Sequence, residues 1–110
     1  MSTKKQFTIV NIGRNVGDQP LSKERWLGFI GRIKYAVNGE PVGYAQGSGQ
    51  YEGQKENFAT FHFLVEPRDH ELNRENLAIL ARDYGQEAIA YMPTTDADLV
   101  SAALPTDVYL

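Results

Sequence analysis

This sequence predicts an α+β domain in which one antiparallel sheet carries two helices on a single face, in the order β-α-β-β-α-β. Three observations predict it. One apolar stripe at helical spacing runs through Trp26, Phe29, Ile30, Ile33 and Val37, and a second through Leu77, Leu80, Ala81 and Tyr84. Between them residues 57–65 alternate strictly, as a strand does, with Phe58, Thr60, His62 and Leu64 on one side and Ala59, Phe61, Phe63 and Val65 on the other.

The elements follow in order. Residues 6–12 alternate and suit a strand buried on at least one face, which Gly13, Gly17, Asp18 and Pro20 break. Ser22 is placed to cap the first helix. Asn38-Gly39 is expected to end that helix in the left-handed conformation, with Pro41 blocking continuation. The next strand is expected to begin near Val42. Gly43, Gly47, Gly49 and Gly53 weaken regular pairing, so a bulged strand or irregular hairpin arm is predicted, turning at 53–56. After the 57–65 strand, whose Ala59 side is the expected core face, Glu66-Pro67 stops the run. Asp69 or Asn73 caps the second helix and Gly85 closes it. Residues 87–92 form the last strand, stopped by Pro93. This is the split βαβ arrangement of ferredoxin-like domains.

At 110 residues, 42% of them hydrophobic and 23% charged, the chain fits one domain with one core. The expected body is 5–93, followed by an extension over 94–110. That extension has a helical turn around 96–103 and an apolar end, Val108-Tyr109-Leu110, suited to packing on the body or a partner. The absence of cysteine removes disulfides, thiolate zinc sites, iron–sulfur clusters and cysteine nucleophiles. It also fits a cytoplasmic address. The first residues resemble a strand rather than a signal peptide, and no run approaches a membrane span. A net charge of −3 argues against a broad nucleic-acid footprint. Two histidines with no ligand spacing give no metal site, and no cofactor is expected.

Several residues nevertheless carry possible chemistry. His62 sits mid-strand among aromatics and could act as an acid or base given a neighbouring carboxylate; an inert sheet-face histidine is the simpler alternative. His70, in PRDHELNRE, reads as an ordinary helix-start residue. The glycine-rich run offers Tyr44, Gln46, Ser48, Tyr51 and Glu56 as contact groups, with Phe58 and His62 sharing an open sheet face with Tyr44. Ser48, in GSG, lies in hairpin context rather than at a strand-to-helix turn, so it is no nucleophile candidate. The loop GRNVGDQP places backbone amides and Arg14 beside a helix start, where anions bind, but without phosphate-loop spacing. KENFATFHF partly resembles the RNA-recognition signature, with Thr60 in place of a stacking aromatic and Glu56 in place of a glycine.

The layout of Gly13, Arg14, Trp26, Gly49, Tyr51, Glu56, Tyr84, Gly85, Gln86 and Glu87 resembles a family of small uncharacterised bacterial and phage proteins. That family has a strand ending in GR, a helix with tryptophan, a G-x-W/Y strand followed by an acid, and a late helix ending FGQE. The likeness spans 9–92, with Tyr84 where the family tends to phenylalanine. It implies that Arg14, Glu56, Gln86 and Glu87 form one polar cluster, either for binding or as a bridge that fixes loops.

The reading that results is a non-enzymatic binding module, an inhibitor or regulator that recognises a protein or small anionic ligand through the glycine-rich hairpin. It has no assigned catalytic residue, and the sheet face is where a homodimer would form. The alternatives are a small dimeric enzyme using His62, which requires a pocket between sheet and helices, and, less favoured by the charge, an RNA or single-stranded nucleic-acid binder.

Overall fold

The computed structural model describes residues 4–94, the Tyr51 side chain excepted. The extension and its apolar end lie outside the described residues. The chain runs β1 (Gln6–Gly13), β2 (Asn15–Val16), β3 (Gln19–Pro20), α1 (Lys23–Ala36), β4 (Glu40–Tyr51), β5 (Gln54–Val65), a 3-10 turn (Pro67–Asp69), α2 (His70–Asp83) and β6 (Ala90–Pro93). The main sheet has the order β4-β5-β1-β6 with every pair antiparallel. This is the ferredoxin-like split arrangement, enlarged by the small β2–β3 ribbon.

Alternation decides which side chains meet the helices. Thr8, Val10 and Ile12 of β1 and Ala59, Phe61, Phe63 and Val65 of β5 are buried on one side. Against them lie Trp26, Phe29, Ile33 and Val37, with Leu77, Leu80, Ala81 and Tyr84; Ile30 packs at the margin. The Phe29 and Tyr84 rings stack at 4.7 Å and so join α1 to α2. Ser22 caps α1 as expected, its Oγ accepting from the Arg25 N–H at 3.2 Å. Gly85 takes φ +66, and the N–H groups of Gly85 and Gln86 return to the carbonyls of Arg82 and Ala81, a complete Schellman closure.

Local expectations fail where a longer-range contact wins. The end of α1 is not left-handed: Val37 is already extended, and neither Asn38 nor Gly39 has positive φ. Instead the Asn73 side chain grips that junction. Its Oδ1 accepts from Asn38 N–H at 2.7 Å and its Nδ2 donates to Asn38 O at 3.3 Å, so Asn73 is no helix cap. The hairpin turn is Glu52-Gly53, both residues with positive φ, so 54–56 belong to β5. The loop after Gly13 is the β2–β3 ribbon rather than an open anion cradle, with Gly17 at φ +63 making its turn. β6 starts only at Ala90, after a connection over 86–89. It includes Pro93, which a short edge strand tolerates.

Candidate functional site

The other side of the sheet faces away from both helices. It carries Phe7, Ile9 and Asn11 from β1, Glu56, Phe58, Thr60, His62 and Leu64 from β5, and Ala90 and Met92 from β6. No helix or strand covers it among the described residues. At its middle Thr60 Oγ1 donates to Asn11 Oδ1 at 2.8 Å, so the position that would stack a base in an RNA-recognition domain holds a satisfied polar pair. The glycines of β4 are in the ladder, and the bulge falls earlier, at Val42. They are there because rings lie on them. A Cβ on Gly43 would come within 2.9 Å of His62 Nδ1, and one on Gly47 within 2.8 Å of Phe58 Cζ. The glycine-rich run is thus a regular strand that beds aromatic side chains rather than a bent arm.

Glu56 occupies the end of this face nearest the ribbon. Its Oε2 accepts from the Asn15 N–H at 2.8 Å, and the carboxylate fills the space that a Cβ on Gly13 would need. Asn15 also donates through Nδ2 to Lys55 O, tying the ribbon to the hairpin on both sides of Glu56. The Phe58 ring is the next side chain along the same face of β5. A carboxylate fixed through one oxygen, beside an aromatic ring, can hold a cation or take a proton.

The expected cluster of Arg14, Glu56, Gln86 and Glu87 does not form; no hydrogen bond or ion pair joins these four. Arg14 turns its Nε to Leu21 O at 2.8 Å, and its main chain binds Asn57 O and Leu21 N–H, so it fixes the ribbon. Gln86 and Glu87 precede β6, and Gln86 Nε2 is buried without a partner. Around Arg14 a shallow cleft of about 300 Å³ is lined by Asn15, Asp18, Pro20, Lys55 and Asn57. Tyr44 does not share the open face. In register with Phe61, it lies on the helix side against that ring at 5.1 Å and is half-exposed. Gln46 and Ser48 follow the same alternation and are exposed. Tyr51 is the last residue of β4, and its side chain is outside the description.

His62 is half-buried on the open face, tilted against Phe7 with ring centroids 5.2 Å apart, and among the described residues has no hydrogen-bonded carboxylate. No pocket between sheet and helices receives it, since that space is the packed core. His70 departs furthest from expectation. It is buried at the start of α2, with Nδ1 2.7 Å from the Tyr91 hydroxyl and Nε2 against Gln6 Oε1. Asn73 Nδ2 donates to Tyr91 at 3.0 Å, which leaves the phenolic proton for His70 Nδ1 and the Nε2 proton for Gln6. Burial, with Arg74 nearby, holds the imidazole below its ordinary pKa; burial also raises that of Tyr91. Only hydrophobic spacing was available to find this network, and polar residues this far apart in sequence leave no such signal.

No family model and no curated protein matches the chain. Among solved structures, a phage SAM lyase in complex with S-methyl-5′-thioadenosine is similar in fold, with TM-score 0.55 and 18% identity over 83% of this chain and 81% of that one. At that identity the likeness carries the fold alone. It does correct the expectation of a non-enzymatic inhibitor or regulator working through its hairpin, because the scaffold it meets is that of an enzyme. No helix among the described residues is long and apolar enough to cross a membrane.

Proposed function

We propose that the protein is an enzyme whose working surface is the open sheet face at its Glu56 end, and that it cleaves a carbon–sulfur bond in an adenosyl sulfonium of the S-adenosylmethionine class. The observation that carries this is the fixed Glu56 carboxylate over Gly13, beside the Phe58 ring. A sulfonium is a cation with an aromatic base attached: the carboxylate attracts its charge, and the ring offers a stacking surface. When the bond from sulfur to the amino-acid arm breaks, its electron pair stays on sulfur and S-methyl-5′-thioadenosine leaves. The arm balances the step by losing a proton to Glu56 or by closing on its own carboxylate. The name of the similar fold supplies the substrate class, and the chemistry of the face supplies the residue.

His62 is not the group assigned to this step. Six residues separate it from Glu56 along β5, roughly 20 Å at strand spacing, so the two cannot serve one bond within a single chain. A dimer and a cytoplasmic address both suit a small nucleoside-processing enzyme of this composition. The test is to incubate the protein with S-adenosylmethionine, follow S-methyl-5′-thioadenosine by liquid chromatography and mass spectrometry, and measure its binding by calorimetry. Turnover lost in Glu56→Gln, with the fold retained, is the expected result. Wild-type protein that neither binds nor produces the thioether would sink the substrate class, and a fully active Glu56→Gln would sink the site.

A further inference from the structure

β4 is an edge strand. β5 is its only ladder partner, and its outer side from residue 43 to residue 51 meets no strand among the described residues. Free N–H and C=O groups on such an edge template pairing with another chain, and proteins guard them with charges, prolines or bulges. Here the guards stop early. Pro41 and the bulge at Val42 protect only the start, and after Glu40 the next charged residue is Glu52, in the turn. The run between, GYAQGSGQY, is uncharged in a chain that is 23% charged. It offers about 30 Å of regular ladder.

We propose that two copies of this chain pair through β4, antiparallel, about a two-fold axis near Gly47, joining their sheets into one. Residue 47 is the middle of the free edge, and a closed two-fold pairing needs a surface that matches itself. This one does. About that axis Gln46 lies opposite Ser48 and Tyr44 opposite Gln50 on the helix side, groups that pair by hydrogen bonding. On the open side Gly47 meets Gly47, and Ala45 meets Gly49, so the central pairs of that side carry nothing larger than a methyl group. The Phe58 ring already lies across Gly47, so the rings of the two copies meet over the axis. With a net charge of −3 on each chain, an uncharged edge is where two copies approach with least repulsion. The pairing does not depend on the reaction proposed above.

Sedimentation equilibrium from micromolar to submillimolar protein tests it, with a complex of twice the 12.3 kDa chain expected. Gln46→Lys and Gln46→Glu each set like charges beside the axis and are expected to weaken association at least about tenfold. An equimolar mixture of the two variants regains the wild-type affinity, because opposite charges then lie diagonally across the axis. Gln46 is exposed, so circular dichroism of both variants, and their thermal unfolding at concentrations where wild type is a single chain, should match wild type. Ser48→Lys is a second disruptor near the axis. A wild-type protein that stays at single-chain mass, or a dimer indifferent to all three substitutions, overturns the proposal.

Discussion

His70 and His62 lie on opposite sides of one sheet and are used in opposite ways. Both nitrogens of His70 have partners, within a network that also holds Gln6, Tyr91, Asn73 and the Asn38 main chain. His62 has none among the described residues. On the helix side a polar group is buried, and an unmet donor or acceptor there would cost about 1–3 kcal/mol, so the network is complete. On the open side, Thr60 and Asn11 apart, polar groups keep spare valences: Glu56 Oε1 and the His62 nitrogens have no hydrogen-bond partner among the described residues. Buried polarity here organises the fold, whereas the polar groups of the open face leave the fold's own demands unaffected.

That contrast can be broken at graded cost. The largest effect is expected for Glu56→Gln, with kcat for thioether release falling about 10²-fold or more while the urea midpoint barely moves. Asn73→Ala should do the reverse. It orphans Asn38 N–H and C=O and one Tyr91 bond, and is expected to lower unfolding free energy by about 3 kcal/mol in urea titration, with activity of the folded fraction retained. A smaller effect is the pH dependence of stability. Because the folded pKa of His70 lies below its unfolded value near 6.5, the unfolded chain binds the proton first as pH falls. Stability is therefore full above about 6.5, declines below it, and levels once the folded pKa is passed. Urea midpoints from pH 8 to 5 should show that slope, and His70→Gln should remove it. His62→Ala should change stability least, within about 0.5 kcal/mol, and leave turnover at the Glu56 end intact. A large loss there would mean the two ends of the open face act together, as they could if a second chain brought its own His62.

The core was legible because it is periodic. Trp26, Phe29 and Ile33 repeat at helical spacing, Ala59 to Val65 at strand spacing, and each set alone determines which side is buried. Gly85 was legible too, since a left-handed helix end is a local demand. The Asn38-Gly39 pair carried the same local signature and misled, because Asn73, 35 positions away in sequence, claims that junction. Gly39 has a different reason to be glycine: a Cβ would press within 2.8 Å of Val65 Cγ2. The same distance in sequence hid the proposed site and the buried network. Glu56 reaches Asn15 from 41 positions away, and His70 meets Gln6 across 64. Tyr44 was assigned to the wrong face because the start and register of β4 could not be fixed without knowing the turn at Glu52-Gly53. The β2–β3 ribbon was invisible because two-residue strands have no period.

Val42 is an extra residue that the ladder passes over, for Pro41 pairs with Phe63 and Gly43 with His62 on either side of it. Its loss by a single-codon deletion would leave every existing pair in place and simply straighten the strand. The kink at the start of the uncharged edge would be gone, and Glu40 and Pro41 would fall in line with it, adding a charge and a residue without an N–H to the regular ladder. In evolutionary terms Val42 marks where the pairing edge begins, so the boundary of that edge is exposed to a deletion rather than to a substitution.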